Sequence, residues 1–139
     1  MADLGGGELL LNARSMNHEV KQGRATSRST DSGMTWSNVS YDSALVGTNC
    51  QGSIASFGGA VYVSYQASLV AREQLTIKRS STGGRIWSSS LLLQAGRSAG
   101  YSSLVKGAVR DDTHGGILFE LAAGKAVGSI AFIASPSRF

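Results

Sequence analysis

The stretch "STDSGMTW" (Ser29–Trp36) returns in altered form as "SSTGGRIW" (Ser80–Trp87). The first serines of the two stretches lie 51 residues apart, and so do their tryptophans. A motif that recurs at a fixed interval of roughly 20–50 residues is the sequence signature of a repeat architecture. An interval of about fifty residues is the size of one four-stranded blade of a β-propeller. The sequence therefore predicts a protein built from repeated blades, each carrying one such box.

The residue types of the box suit a tight turn between two strands. Asp31 can accept backbone N–H bonds inside the turn, as short acidic side chains do, and Gly33 can adopt the positive φ that the turn needs. Trp36 is expected to bury its ring against a neighbouring sheet. The second copy has Thr82 in place of the aspartate and Ile86 in place of the threonine. We therefore interpret both boxes as structural braces rather than reactive sites. The braces consist of Ser29, Asp31, Gly33, Trp36, Ser80, Gly84 and Trp87.

The rest of the chain is typical of an all-β protein. Its 139 residues include 18 glycines and one proline, and its short apolar runs are separated by polar and glycine clusters, as strands are. No segment has helix length with a 3.6-residue apolar stripe, although residues 68–74 are compatible with one helical turn. Strands are predicted at residues 8–14, 24–29, 53–57, 60–66, 74–80, 89–94, 101–106, 116–121 and 127–133, with turns at 58–59 and 111–115. We predict a single domain, residues 1–139, that folds as a partial β-propeller of about two and a half to three four-stranded antiparallel blades.

Composition and charge argue against several classes of function. The net charge is +4, but lysine and arginine are dispersed, which argues against nucleic-acid binding. No apolar run approaches the ~20 residues that span a bilayer, and the start of the chain lacks a secretory signal pattern, so the default expectation is a cytoplasmic protein. Cys50 is the single cysteine and can form no internal disulfide. His18 and His114 belong to no metal-binding spacing, so we expect neither a metal nor a cofactor.

The first box has the form Ser-x-Asp-x-Gly-x-Thr-Trp and resembles the Asp-box of sialidases (neuraminidases), six-bladed propellers that remove terminal sialic acid. Other segments follow in the same order as in that family. They are "ELLLNARS" (8–15), "NCQGSI" (49–54), "LTIKRSSTGGRIW" (75–87), "GYSSLV" (100–105), "GGILFE" (115–120) and "GSIAF" (128–132). The resemblance covers essentially the whole chain. It implies the C-terminal half of an exo-α-sialidase whose partner is a sialylated glycan on a glycoprotein or glycolipid.

The resemblance also implies roles for individual residues. Tyr101 matches the family's nucleophile, because sialidases use a tyrosine where most glycosidases use a carboxylate. Arg14 matches one of three arginines that bind the sialic acid carboxylate, for which the planar guanidinium is suited. Lys78 stands at the second arginine position with Arg79 one step later, and because strand side chains alternate, only one of them faces the site unless a bulge intervenes. Glu120 matches a glutamate that orients the remaining arginine.

Three catalytic groups of the family have no counterpart in this chain. The family's glutamate base lies further upstream of Arg14 than the thirteen residues present there, and the acid/base aspartate and the first arginine lie further upstream still. We therefore expect little or no sialidase activity from this chain alone, since general acid–base groups carry much of such a reaction. Two alternatives stay open. One is a module that binds sialic acid or another carbohydrate without cleaving it. The other is a structural fragment that needs a complementing chain, or self-association, through its exposed blade edges.

Overall fold

The computed structural model describes residues 1–16, 23–107, 114–123 and 126–135. These residues form an all-β structure with one 3₁₀ turn at Ser43–Leu45. The strands are β1 (Ala2–Gly5), β2 (Glu8–Ala13), β3 (Arg24–Ser29), β4 (Ser40–Asp42), β5 (Ser53–Phe57), β6 (Ala60–Gln66), β7 (Glu73–Ser80), β8 (Ser89–Lys106), β9 (Gly115–Ala123) and β10 (Ala126–Ser135). In this described part of the chain, no helix has the length and apolarity needed to cross a membrane.

The strands form three antiparallel sheets, which we call blades 1, 2 and 3. Blade 1 contains β1 to β4 in chain order. Blade 2 contains β5, β6, β7 and the first half of β8, residues 89–97, which pairs with β7. Blade 3 contains the second half of β8, residues 98–106, with β9 and β10. The single strand β8 thus ends one blade and begins the next, and the predicted partial propeller of antiparallel blades is confirmed.

Differences between the predicted and observed strands have local causes. The strands β1 and β4 lie outside the predicted set because they are only four and three residues long. The strands predicted at 89–94 and 101–106 are the two halves of β8, since the intervening Ser- and Gly-containing segment stays extended. Its register shifts against β7 opposite Glu73–Thr76 and against β9 between Ser98 and Ser102. A polar, glycine-containing segment therefore does not always end a strand.

Two predicted turns have different outcomes. The helical turn expected at 68–74 is absent: Ser68 Oγ instead accepts the backbone N–H of Val70 at 3.2 Å, a local bond that competes with helix formation. The turn expected at 111–115 begins with three residues that lie outside the described part of the chain. The glycine turn at 58–59 joins β5 to β6 as a hairpin.

Two apolar layers join the three blades. The layer between blades 1 and 2 contains Ala2, Leu10, Leu45, Ile54, Val61, Val63 and Tyr65. The layer between blades 2 and 3 contains Phe57, Ala60, Tyr62, Leu75, Ile77, Leu104, Ile117 and Phe119. Burial of apolar surface stabilises such layers by roughly 25 cal/mol per Å². Because each layer takes side chains from two neighbouring blades, the layers set how the blades lie relative to one another.

Both boxes form a turn between the third and fourth strands of a blade. In the first box the Asp31 carboxylate accepts the Thr35 backbone N–H at 2.8 Å, and Gly33 has a φ of +89°. In the second box the Thr82 hydroxyl takes the place of the carboxylate and accepts the Ile86 backbone N–H at 2.9 Å. A hydroxyl can therefore hold the same turn that the carboxylate holds.

The two box tryptophans have different surroundings. Trp87 donates its indole N–H to Asp42 Oδ2 of blade 1 at 2.8 Å, and its ring packs against the layer between blades 1 and 2. Trp36 donates to the carbonyl of Gly33 in its own turn at 3.1 Å and remains 40% exposed. The expectation that Trp36 buries its ring against a neighbouring sheet is therefore wrong. The Trp36 ring and Leu9 both lie within 4 Å of the position that a Cβ at residue 33 would occupy. Leu9 lies on the opposite face of β2 from the buried Leu10, so Trp36 is on the face that does not contribute to the layer between blades 1 and 2.

Candidate functional site

The candidate site is centred on a bulge in β8. The register of β8 against β9 shifts between Ser98 and Ser102. Gly100 within this bulge has a φ of +126°, a conformation that is open mainly to glycine. Tyr101 follows and is 48% exposed. The bulge therefore presents a tyrosine side chain to solvent at the point where β8 passes from blade 2 to blade 3.

Two charged side chains lie against Tyr101. Glu120 on β9 accepts the backbone N–H of Tyr101 through Oε2 at 3.0 Å. Arg72, just before β7, has its guanidinium carbon 5.8 Å from the centroid of the Tyr101 ring, which is within the range of a cation–π interaction. The structure thus combines a phenol, a carboxylate and a guanidinium at one place.

Three arginines surround a buried thiol next to the bulge. Burial raises the pKa of the Cys50 thiol above its usual value, and the positive charges of Arg72, Arg14 and Arg24 oppose that rise. Arg24 donates to the Cys50 carbonyl at 3.1 Å, and Arg72 Cδ and Cys50 Sγ both lie within 3.0 Å of the position that a Cβ at residue 100 would occupy. Arg14 is close enough for its charge to act on the same thiol. Cys50 Sγ donates to the carbonyl of Gly100 at 3.3 Å, so this thiol adjoins the bulge. The site therefore concentrates positive charge.

Arg24 is the buried member of this arginine cluster, with 4% of its surface exposed. Its Nε donates to Asn12 Oδ1 at 2.6 Å and its Nη1 to the Cys50 carbonyl at 3.1 Å. Burial lowers the pKa of Arg24 to about 10, so the guanidinium remains charged at neutral pH. Both of these acceptors are neutral. The positive charge of Arg24 therefore adds to the potential of the site instead of being cancelled by these partners.

The structure brings Arg14, Tyr101 and Glu120 to this region, but it places Lys78 and Arg79 elsewhere. The Lys78 ammonium donates to the backbone carbonyl of Ala44 at 2.5 Å. Lys78 also lies six residues after Arg72, which along an extended strand is roughly 20 Å. Lys78 and Arg79 therefore lie at the end of β7 that is far from Tyr101.

Sequence reasoning missed Arg72 because it looked for a basic residue immediately before the second box. A usable signal was present in the strand pattern. The strands on either side of the box are antiparallel, and Glu73 at the start of β7 pairs with Arg97 near the bulge. A residue just before β7 must therefore lie near residue 101, whereas residues next to the box lie at the opposite end of the blade. The buried Arg24 had no such signal, because its burial depends on contacts with distant residues.

A depression of about 320 Å³ adjoins Tyr101 and Glu120, and its walls also include Gln51, Leu118 and Ile130. A cavity of this size admits a small molecule. Within the described ranges, no three His, Cys, Asp or Glu side chains come together to hold a metal ion. His18 lies outside these ranges. The residues that line this mainly apolar depression include none of the three arginines near Cys50. The arginine cluster by itself suits a small anionic ligand.

Comparison with protein families gives a match over most of the chain. Residues 2–112 match the family described as BNR repeat-like domain. No curated protein sequence matches this chain. The family match extends across both boxes and Tyr101.

Solved structures of sialidases share this fold. The chain is similar to the Hadza microbial sialidase Hz136, with 31% identity and a TM-score of 0.76 over 96% of this chain and 26% of that chain. It is similar to the NanB sialidase from Streptococcus pneumoniae, with 20% identity and a TM-score of 0.74 over 99% of this chain and 22% of that one. It is also similar to the intramolecular trans-sialidase from Ruminococcus gnavus, solved with oseltamivir carboxylate, with 19% identity and a TM-score of 0.73 over 96% and 31% of the two chains. The resemblance to sialidases is confirmed, and the chain spans between 22% and 31% of the length of these proteins.

Proposed function

This chain belongs to the BNR repeat-like domain family, and from that premise we propose that it forms part of the active site of an exo-α-sialidase. In this proposal it carries the nucleophile and two of the arginines that bind the carboxylate of a terminal sialic acid. The observation that supports the proposal most strongly is the placement of the Arg72 guanidinium 5.8 Å from the Tyr101 ring centroid. A tyrosine beside arginines is the arrangement that a tyrosine-dependent glycosidase acting on an anionic sugar needs.

Carboxylate binding is assigned to Arg14 and Arg72. Both side chains are exposed, and both lie close enough to Cys50 for their charges to act on its thiol. Planar guanidinium groups bind carboxylates through two parallel hydrogen bonds. The buried Arg24 adds positive potential behind them. The similar Ruminococcus gnavus enzyme was solved in complex with a carboxylate ligand, oseltamivir carboxylate.

The role of nucleophile is assigned to Tyr101. A neutral phenol can approach a substrate carboxylate without the charge repulsion that a carboxylate nucleophile would suffer. Its unperturbed pKa of about 10 means that it must lose its proton to a neighbouring base during the reaction. The nearby Glu120 carboxylate accepts the backbone N–H of Tyr101. We therefore assign Glu120 a role in orienting Tyr101, in addition to the arginine-orienting role that the resemblance implies. The base is then supplied from outside this set of residues, so turnover by this chain alone is expected to be weak but to depend on Tyr101.

A binding function without cleavage is the second candidate. It is favoured because no base for the phenol proton is assigned among the described residues: the Glu120 carboxylate beside Tyr101 accepts the tyrosine's backbone N–H at 3.0 Å. In this alternative Arg14 and Arg72 recognise the acidic sugar, and Tyr101 only provides a surface for the sugar ring. Binding should then survive the Tyr101→Phe substitution and be lost in Arg14→Ala.

The test combines turnover and binding on the purified chain. Release of fluorophore from a 4-methylumbelliferyl sialoside is measured for the wild type and for Tyr101→Phe, and binding of N-acetylneuraminic acid is measured by calorimetry. Far-UV circular dichroism confirms that each protein is folded. Binding that weakens in Arg14→Ala, with turnover that disappears in Tyr101→Phe, supports the sialidase proposal. Binding without turnover in any variant supports the second candidate, and a folded wild type that does not bind sialic acid contradicts both.

A further inference from the structure

We propose that Gln51 is a positioning residue for Tyr101. In this proposal the Gln51 side-chain amide holds the backbone of the next residue, Ser102, and so sets where the phenol stands. The inference rests on the proposed role of Tyr101 and deepens it, because it identifies what keeps the nucleophile in place. The effect of Gln51 on Tyr101 is exerted through the backbone of Ser102.

The amide of Gln51 pairs with both backbone groups of one residue. Its Nε2 donates to the Ser102 carbonyl at 2.9 Å, and its Oε1 accepts the Ser102 N–H at 3.0 Å. A neighbouring antiparallel strand would make the same pair of bonds. The side chain of Gln51 therefore takes the place of a strand at this one position.

The chain needs such a substitute because β8 leaves its partner here. The pairing of β8 with β7 ends at Arg97, and beyond that point no strand in the described part of the chain forms a hydrogen-bonded ladder with the edge of β8 that faces away from β9. Buried backbone groups must find partners. Alternate residues along this edge find them in side chains: the Gly100 carbonyl accepts from Gln66, and the Leu104 N–H donates to Ser53 Oγ at 3.0 Å. Gln51 is the member of this series that adjoins the tyrosine directly.

Gln51 is itself held in place. The carbonyl of the preceding Cys50 accepts from the buried Arg24 at 3.1 Å. At the following residue, Gly52, an added Cβ would lie 2.5 Å from the Ser64 carbonyl oxygen, so the segment is tightly seated. Contacts thus run without a break from Arg24 in blade 1, through Gln51, to the backbone beside Tyr101 in blade 3.

The consequence is a tyrosine whose two neighbours are both fixed. Gly100 is held through its carbonyl by Cys50 and Gln66, and Ser102 is held through both backbone groups by Gln51. Reacting groups must be kept within about 0.5 Å of their productive position. Loss of the Gln51 amide should therefore change the position of the Tyr101 phenol while the blade remains folded.

In the experiment, all four tyrosines of the chain are replaced by 3-fluorotyrosine. The ¹⁹F NMR resonance of each tyrosine then reports on its surroundings. The substitution Tyr101→Phe identifies the Tyr101 resonance. In Gln51→Ala the Tyr101 resonance is expected to shift or broaden while those of the buried Tyr62 and Tyr65 stay in place. Ser90→Ala, an exposed change at the other end of the same strand, is the matched control and should leave all four resonances unchanged.

A second variant keeps the test decisive if Gln51→Ala does not fold. In Gln51→Glu the introduced carboxylate can accept the Ser102 N–H but cannot donate to the Ser102 carbonyl, so the Tyr101 resonance should again move. Below about pH 4, near the usual pKa of a glutamic acid, the protonated carboxyl can donate again. The resonance should then return toward that of the wild type measured at the same pH. A Tyr101 resonance that is unchanged in either folded variant overturns the proposal, as does a uniform change of all four resonances.

The same samples separate this inference from the proposed function. N-acetylneuraminic acid is added to the labelled wild type and the Tyr101 resonance is followed. A resonance that responds to Gln51→Ala but not to the sugar supports the positioning role and contradicts sialic acid binding. A resonance that responds to the sugar but not to Gln51→Ala overturns the role of Gln51 and leaves the site assignment standing.

Discussion

The turn of the first box and the bulge at Gly100–Ser102 both hold backbone groups that no strand satisfies, but they draw on different parts of the sequence. In the box, Ser29 and Asp31 bind N–H groups two to four residues away. At the bulge, the partners Gln66 and Gln51 stand 34 and 51 residues away. The first arrangement depends on local sequence alone. The second requires the loop before β5, the strand β6 and the bulge of β8 to lie side by side, so it depends on the packing of blades 2 and 3.

The largest expected effect comes from breaking the bulge at Gly100. In Gly100→Ala the new Cβ would meet Cys50 Sγ at 2.9 Å and Arg72 Cδ at 3.0 Å, at a φ of +126°. Backbone strain and overpacking together should lower the free energy of unfolding by about 2–4 kcal/mol, measured by urea denaturation. Gly96→Ala is the control, because nothing lies within 4 Å of an added Cβ on the same strand. Equal losses in the two variants would contradict the account of the bulge.

A smaller effect is expected from removing the serine that begins each box. Ser29 Oγ accepts the N–H of Asp31 at 3.3 Å and of Gly33 at 2.8 Å. Ser80 Oγ accepts the N–H of Thr82 at 3.2 Å and of Gly84 at 2.9 Å. Each serine is almost fully buried, so Ser29→Ala and Ser80→Ala should each lower the free energy of unfolding by about 1–2 kcal/mol.

A comparison of Ser29→Ala with Ser80→Ala distinguishes the contribution of the box serine to stability from that of Asp31, which only the first box contains. Similar losses in the free energy of unfolding would mean that the serine stabilises both box turns to the same extent, whether Asp31 or Thr82 follows it two positions later. Ser81→Ala, at an exposed position of the second box, is the control and should change stability little. A loss at Ser29 several times larger than that at Ser80 would show that the Asp-containing box is held differently.

The smallest effect is a pH dependence confined to the first box. Hydrogen bonds from the Thr35 side chain, the Thr35 backbone and the Ser29 side chain lower the pKa of Asp31 from 3.8 to about 2. Because the folded-state value is the lower one, this stabilisation is complete above about pH 4. It is lost as the pH falls toward 2. Asp31→Thr, which copies the second box, should remove this part of the acid dependence. The prediction is contradicted if the free energies of unfolding of wild type and variant, measured by urea denaturation, fall by the same amount between pH 5 and pH 2.

The sequence predicts much of the fold but only part of the site, and the reason is the range of the interactions. The box turns and most strands follow from residues within a few positions of one another, such as Ser29, Asp31 and Gly33. The roles of Tyr101, Arg14 and Glu120 were predicted through resemblance to a family. Arg72 and Arg24 were missed, because Arg72 reaches the tyrosine only through the antiparallel pairing of β7 with β8. Arg24 becomes important only through its burial beneath residues of another blade.

The most direct test of the account compares two arginines of one strand region, Arg72 and Arg79, for their part in binding N-acetylneuraminic acid. Calorimetric titration should show that Arg72→Ala weakens binding roughly 10- to 100-fold, the value expected for a lost charge-assisted hydrogen-bonded contact. Arg79→Ala, at the far end of β7, should change binding by less than about twofold, because surface substitutions away from a contact usually change free energies by under about 0.5 kcal/mol. Binding that depends on Arg79 and not on Arg72, or no binding by the folded wild type, would contradict the proposed site.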